Sequence, residues 1–293
     1  MNPARRVLVV TVVHHPDDAR IRHRQIESLL EAGWQVTYAA PFEDYGLTRP
    51  VGIPGLTPVE VPRSSGRQRL SALFAARALL RDRAPAHDVV LLHDPELLLA
   101  MRPLRNLPPV VWDVHEDTAA ALEVRPWVPD LLRSPAAWCV GRLERWAEGR
   151  VPLLLAEHEY AARFREAHPV VPNTTWVPSE TVPPGRPDED GRQRVVYLGS
   201  LTVERGAREL IEVGRHVQAA TNGQVQVHVI GQAHGEAADL LRAAVKDGAV
   251  VWHGFVPSDR ALPMLDGALA GLSLLHDEAN FRHSMPTKVI EYL

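Results

Sequence analysis

Cysteine is nearly absent from this 293-residue chain, since Cys139 is its single representative. One cysteine cannot form an internal disulfide, so the sequence indicates a reducing compartment and we expect a cytoplasmic protein. Cys139 follows Trp138 in an apolar helical stretch. Because free cysteines are commonly buried, we expect this thiol to lie in the core.

Long apolar runs are also absent, and none approaches the ~18 residues that a membrane-spanning helix requires. The run 7–13 follows two arginines, but His14-His15-Pro16-Asp17-Asp18 comes next instead of a cleavage site. We therefore interpret it as a first buried strand and not as a signal peptide. The arginine-rich stretch 63–83 is interpreted as a solvated helix face, with a peripheral contact to the inner face of the membrane as the alternative.

Several site signatures are missing. The net charge is −4 with acids and bases interspersed. The sequence has no basic stripe with interleaved aromatic residues, the pattern that would indicate nucleic acid as a partner. No Gly-x-Gly-x-x-Gly follows the first strand and no Gly-x-Ser-x-Gly occurs, which argues against NAD, FAD and a serine hydrolase. Asp188-Glu189-Asp190 lies in a proline-rich loop and is interpreted as solvated. We therefore predict neither a metal site nor a cofactor.

Short apolar runs alternate with amphipathic helical patterns along the whole chain. This alternation predicts parallel sheets covered by helices on both faces. The predicted strands are 6–13, 35–40, 88–93, 110–115, 152–156, 194–198, 224–230, 249–252 and 271–275. The predicted helices are 21–32, 67–83, 135–148, 157–166, 205–220, 236–246 and 259–265.

A stretch rich in proline, glycine and acids, residues 177–192, interrupts this alternation. Such a composition favours neither a ladder nor a helix, so we place an interdomain linker there. The prediction is an α/β protein with two Rossmann-like doubly wound domains, residues 1–176 and 193–293, facing each other across a cleft. The second has four predicted strands where doubly wound domains usually have five or six, so we expect it to be incomplete.

Polar residues follow nearly every predicted strand. In open α/β sheets ligands bind at the carboxyl ends of the strands, so these residues are candidates for the rim of a binding site. Asp94 has an alternative role as the cap of a helix that Pro95 opens. A strand-end imidazole such as that of His115 can bind a sugar hydroxyl or simply order its loop. The candidates of the rim are His15, His93, Asp94, His115 and Glu116.

Two turns in the second half carry cations where helices are predicted to begin. Arg205 lies in the turn 199–206, and Lys288 follows Pro286 and Thr287. Free N–H groups and the helix dipole favour an anion at such positions, and the diphosphate of an activated sugar is one. The alternatives are a solvated arginine and, for Lys288 and Glu291, a helical ion pair.

Taken together, six segments resemble the retaining glycosyltransferases of family 4, which have the GT-B architecture. These segments are 17–21, 88–97, 111–117, 171–173, 197–206 and 280–292. The resemblance implies that the first domain binds an acceptor and the second a nucleotide-diphospho-sugar. It also implies retention of the anomeric configuration, with a glycan, lipid-linked or small-molecule acceptor.

The resemblance assigns roles to individual residues. It places Arg205 at a diphosphate ligand, Glu291 at the nucleotide ribose, and His115 near the donor sugar. The other donor-binding candidates are Gly199, Ser200, Pro286, Thr287 and Lys288. The chain departs from the family at Ser200, where many members have arginine, and at His283, where many have a second glutamate.

The family continues beyond the segment that ends this chain, so we expect a C-terminal truncation. One alternative is therefore a truncated or degenerate chain without catalysis. Another is a nucleotide-sugar epimerase, which needs paired acid and base carboxylates. The candidates for that pair are Glu116, Asp117 and Glu157.

Overall fold

A computed structural model describes residues 4–114, 130–173, 183–278, 281 and 286–293. The chain divides into two compact units, Met1–Pro172 and Asn173–Leu293. Both contain a parallel sheet with helices, so the predicted α/β class is confirmed. Residues 183–192 belong to the second unit, and there Gln193 Nε2 donates a hydrogen bond to Gly185 O (2.7 Å). The linker and domain boundaries stay predictions.

The first unit contains a six-stranded parallel sheet of order β3-β2-β1-β4-β5-β6. Its strands are Arg6–Val10 (β1), Gln35–Ala40 (β2), Leu56–Glu60 (β3), Val89–Leu92 (β4), Val110–Val114 (β5) and Leu153–Leu155 (β6). Its α-helices are Glu27–Glu31 (α1), Arg69–Arg83 (α2), Pro95–Met101 (α3) and Asp130–Glu148 (α4). A π-helical segment, Ala19–Ile26, leads into α1.

Side chains of β1 alternate between two apolar clusters. Leu8 and Val10 pack with Leu92, Trp112 and Leu153 on one face of the sheet. On the other face, the cluster contains Val7, Val9, Ile21, Tyr38 and Leu91. The sheet is therefore covered on both faces, as continuous apolar strands require.

The second unit contains a four-stranded parallel sheet of order β10-β7-β8-β9. Its strands are Gln193–Leu198 (β7), Val225–Ile230 (β8), Val250–Trp252 (β9) and Ala270–Gly271 (β10). Its α-helices are Ala207–Ala220 (α5), Glu236–Lys246 (α6), Ser258–Ala261 (α7) and Thr287–Glu291 (α8). Tyr197, Val227, Val229, Leu210 and Leu241 form the centre of its core.

Strand β3 was not predicted, because Pro58 interrupts its sequence pattern. The carbonyl of Gly55 accepts a hydrogen bond from Val36 N (2.8 Å), and Val61 N donates one to Ala40 O (3.3 Å). The backbone N–H and C=O groups of the odd-numbered residues of this strand therefore point towards β2. Those of the even-numbered residues, the position of Pro58 included, point towards the open edge of the sheet. A proline is tolerated at this edge because no ladder donor is needed there.

Three other expectations were wrong. Cys139 is exposed, because it lies on the outer side of α4. The predicted helix 157–166 is only a 3-10 segment, His158–Arg163. The helix predicted to begin at Arg205 begins at Ala207, because Gly206 adopts a left-handed conformation (φ +82°) at its N-cap.

Candidate functional site

Asp94 lies directly after β4 and is completely enclosed by protein. Its Oδ2 atom accepts hydrogen bonds from Thr11 Oγ1 (3.0 Å), Val12 N (2.6 Å) and Val13 N (3.3 Å). The Nε2 atom of His14 lies 3.2 Å from Oδ1. Asp94 precedes α3, but its side chain makes no cap hydrogen bond to that helix. The carboxylate therefore fixes the turn that follows β1 instead of capping α3.

A second buried carboxylate, Asp113 on β5, organises the neighbouring strand ends. Arg20 donates to it twice, from Nε to Oδ2 (2.8 Å) and from Nη2 to Oδ1 (2.7 Å). Gln25 Nε2 donates to Oδ2 at 2.9 Å, and the same oxygen lies 3.3 Å from His93 Nδ1. Arg20 also donates to Val171 O (2.8 Å). Arg20, His93 and Asp113 thus form a buried network, of which the sequence predicted only His93 as a site residue.

His15 lies in the turn after β1 and is half-buried. Its Nδ1 atom accepts a hydrogen bond from Asp17 N (3.1 Å), and its ring packs edge-on against Tyr45 at 4.7 Å between centroids. Burial lowers the pKa of His15, although the carboxylates of Asp17 and Asp18 oppose this shift. The guanidinium of Arg63 lies 4.1 Å from the centroid of the Tyr45 ring. The turn therefore presents a neutral imidazole beside an aromatic ring and a cation.

The remaining candidates of this rim are only partly covered by the structure. His115, Glu116 and Asp117 lie outside the described residues. Glu157, the third carboxylate of the epimerase alternative, is buried just after β6.

In the second unit, the ends of β7 and β8 lie in direct backbone contact. Gly199 N donates to Ile230 O (2.8 Å), and a Cβ atom on Gly231 would overlap the carbonyl group of Gly199. Both glycines also have positive φ, +108° at Gly199 and +144° at Gly231. Only glycine allows this close approach, which leaves the turn after β7 free of a side chain at its first residue.

The amine of Lys288 lies beside this turn. The residue is only 8% exposed, and its Nζ atom lies 3.6 Å from the centroid of the Tyr197 ring. Within the part of the chain that the structure describes, Nζ has no hydrogen-bond partner. Burial lowers the pKa of Lys288 to about 7, with a further lowering by Arg205 and an opposing effect of Glu291.

Arg205 lies at the other end of the same turn. Its Nη1 atom donates to Ser200 O (3.3 Å), which also accepts a hydrogen bond from Tyr197 OH (3.0 Å). Its guanidinium lies 5.7 Å from the centroid of the Phe281 ring. Its positive charge contributes to the lowered pKa of Lys288, because two like charges at the same turn repel each other. An anion between them would relieve this repulsion.

Tyr292 holds α8 in place and was missed by the sequence reasoning. Its hydroxyl accepts a hydrogen bond from Leu198 N (2.9 Å) and donates one to Leu272 O (3.1 Å). A Cβ on Gly271 would overlap its ring. Tyr292 therefore attaches α8 to the ends of two strands and positions Lys288. Tyr292 and Leu198 are 94 positions apart in the sequence, so no local sequence pattern indicates their contact.

The second unit thus brings together most of the predicted donor-binding residues. Gly199, Ser200 and Arg205 form one turn, and the Nζ atom of Lys288 lies 4.0 Å from the position that a Cβ on Gly199 would take. Lys288 and Glu291 both belong to α8, where Pro286 is the N-cap and Thr287 the first residue. The acidic residues in the loop before β7 lie apart from this turn: Asp188 pairs with Arg194, and Asp190 with Arg192. In the described residues, no helix is both long and apolar enough to cross a membrane.

No protein-family model matches the sequence, and no curated protein is detectably similar to it. Solved structures, in contrast, match it over most of its length. Sucrose-phosphate synthase from Thermosynechococcus elongatus is 13% identical with a TM-score of 0.66, and the match covers 99% of this chain and 79% of the synthase. AviGT4, a glycosyltransferase involved in avilamycin A biosynthesis, is 17% identical with a TM-score of 0.55, covering 99% and 76%.

A third match is HepE from Anabaena, whose structure contains UDP and glucose. It is 12% identical with a TM-score of 0.51, and the match covers 86% of this chain and 70% of HepE. At such identities the likeness concerns the fold. The two parallel sheets and the near-complete coverage confirm the predicted fold class, and the chain has the GT-B fold of glycosyltransferases.

Proposed function

We propose that the chain is a glycosyltransferase that binds a nucleotide-diphospho-sugar at the turn 199–205 and at Lys288, and transfers the sugar to an acceptor with retention of configuration. The observation that carries this proposal is the buried amine of Lys288, which has no hydrogen-bond partner among the described residues and lies close to Arg205. A buried amine without an anion is costly. A diphosphate beside the side-chain-free Gly199 would supply the missing acceptor.

Each residue of the proposed donor site has its own role. Arg205 and Lys288 bind the diphosphate and stabilise the charge that develops on it as the leaving group departs. These two cations take the place of a metal ion. Glu291 accepts hydrogen bonds from the ribose hydroxyls. His115 contacts the donor sugar. The HepE structure with UDP and glucose supports a nucleotide sugar as the ligand of this fold.

Catalysis rests on positioning and electrostatics, since no residue is assigned as a covalent nucleophile. The transition state resembles an oxocarbenium ion. The acceptor binds at the first unit, where His15 and Glu116 contact it. His93 and Asp94 are buried and act by fixing the strand ends and the turn after β1. We assign the activity to polysaccharide, glycolipid or cell-envelope synthesis in the cytoplasm.

Calorimetry with UDP-, GDP- and ADP-sugars tests the donor site. We expect one donor to bind, and expect Arg205→Gln and Lys288→Met each to weaken it by ~1.5–3 kcal/mol, the scale of a hydrogen bond to a charged group. Arg208→Gln and Lys246→Met are matched controls, because Arg208 pairs with Glu236 on the surface and Lys246 is exposed on α6. If all three donors fail to bind, or if the controls weaken binding equally, the proposal is wrong.

A further inference from the structure

One face of α2 exposes apolar and cationic side chains together. Leu70 is 67% exposed and Phe74 is 59% exposed. Arg77 and Arg81 follow at helical spacing, so all four side chains lie on one side of the helix. The opposite side is fully buried in the first unit and consists of Ala72, Ala76 and Leu80. The exposed apolar residues are therefore not part of the core.

The neighbouring helix α3 extends this surface. The guanidinium of Arg77 lies 5.6 Å from the centroid of the Phe74 ring, and its Nη2 atom donates to Leu99 O (3.5 Å). Leu99 is itself 41% exposed. We call the set Leu70, Phe74, Arg77, Arg81 and Leu99 the α2 surface. The guanidinium of Arg77 therefore lies beside an exposed aromatic ring, whereas that of Arg81 pairs with Asp82 at the exposed end of the helix (Nε to Oδ1, 2.7 Å).

The charge around the α2 surface is opposite to that of the chain. Residues 63–83 contain six arginines and one aspartate, a surplus of five positive charges, whereas the whole chain carries −4. Helix α2 has no acid in its first turn, and Asp82 is its single carboxylate. The surface is therefore complementary to an anionic partner, even though the protein as a whole is not.

We propose that the α2 surface docks the protein on a bilayer that contains anionic lipids. Arginines next to protruding apolar side chains suit this partner, because the guanidinium groups reach lipid phosphates while the apolar groups enter the boundary between headgroups and acyl chains. A lipid surface adapts to Leu70 and Phe74, which project from α2. The proposal does not depend on the donor site.

Co-sedimentation with lipid vesicles tests the proposal. The full chain is mixed with vesicles of phosphatidylglycerol and phosphatidylcholine in about a 3:7 ratio, or with phosphatidylcholine alone. We expect binding to the anionic vesicles, weakened by salt, and none to the neutral ones. Leu70→Ala with Phe74→Ala reduces the partition coefficient on the order of tenfold or more. Arg77→Gln with Arg81→Gln reduces it about fivefold per arginine.

Two matched controls locate the effect. Val51→Ala removes another exposed apolar side chain, and Arg242→Gln removes another exposed arginine. Both leave vesicle binding unchanged, and circular dichroism verifies that every variant is folded. Equal binding to neutral vesicles, no binding to either, or full binding by both α2 double variants overturns the proposal. The proposal is also wrong if the protein binds soluble polyglutamate as tightly as anionic vesicles and the Leu70 and Phe74 variants leave that binding unchanged. Such a result would indicate that the partner is an acidic protein.

Discussion

The Nζ atom of Lys288 lies 3.6 Å from the centroid of the Tyr197 ring, so an amine from α8 is held over an aromatic face at the end of β7. The attraction between an ammonium group and the ring offsets part of the cost of burying it. Arg205 acts in the other direction and lowers the pKa of the amine. The protonation of Lys288 is therefore sensitive to any anion that enters the turn.

Donor binding should depend on pH through Lys288. The pKa of this amine is about 7 without ligand, and a bound diphosphate raises it because the anion favours the charged form. We expect the affinity for a nucleotide sugar to fall as the pH rises above 7. Calorimetry at pH 7 in buffers of different ionisation enthalpy should detect proton uptake on binding.

Lys288→Met is the control for this pH dependence. It should bind the donor weakly at every pH and take up fewer protons. Proton uptake by Lys288→Met that equals that of the original chain would contradict the assignment to this amine.

Stability should also respond to Lys288. Its pKa falls from an ordinary 10.5 to about 7 in the folded chain, so between these values the unfolded chain binds more protons than the folded one. The free energy of unfolding therefore rises with pH across this window, by at most about 1.4 kcal/mol per pH unit. Urea denaturation should show this slope in the original chain and lose this component in Lys288→Met. An identical slope in the two proteins would show that another group is responsible.

Breaking the Arg20–Asp113 pair should destabilise the first unit strongly. Arg20→Met leaves the buried carboxylate of Asp113 without its bidentate donor, and we expect a loss of ~3–5 kcal/mol in urea denaturation. The double variant Arg20→Met with Asp113→Leu removes both charges and should recover much of that loss. Arg242→Gln, at an exposed ion pair, should change stability by no more than ~0.5 kcal/mol. A double variant less stable than Arg20→Met would contradict this account.

Gly231→Ala should disrupt the contact between the ends of β7 and β8. The added Cβ would overlap the carbonyl of Gly199, and neither backbone segment can yield without breaking its ladder. Gly223→Ala is the matched control, since Gly223 also has positive φ (+75°) but has nothing within contact distance of its missing Cβ. We expect about 1 kcal/mol of destabilisation for Gly223→Ala. Gly231→Ala should cost several-fold more and abolish donor binding.

Thermal and urea denaturation of both glycine variants, together with donor titration, measure these effects. Equal costs at the two positions would show that only the backbone conformation matters and that the close approach to Gly199 is unimportant.

Local patterns were sufficient for most of the fold. Strand β2 and helix α6 have the bounds that the sequence predicted, because their apolar residues recur with a clear period. Strand β3 escaped prediction because Pro58 is acceptable only at an edge, and edge position is a property of the assembled sheet. The burial of Cys139 was predicted wrongly because it depends on which side of α4 packs against the rest of the first unit.

The candidate site shows the same division. The turn 199–205 and the segment 286–291 were predicted as a donor site from cations, glycine and proline near predicted helix starts. The buried network around Asp113 was not, because Arg20 and Asp113 are 93 residues apart and meet only after the sheet forms. Tyr292 was missed for the same reason. Pairing at long range leaves no trace in composition or period.

Pro58 has one more consequence, for self-association. An open strand edge offers unpaired amide groups to which a second molecule can add a strand. Pro58, at the centre of β3, faces the open edge and has no amide hydrogen that could bond to an added strand. At the other border of the same sheet, Leu155 is already bridged to Val170. Both borders of the six-stranded sheet therefore present fewer free amide groups to which a second molecule could add a strand.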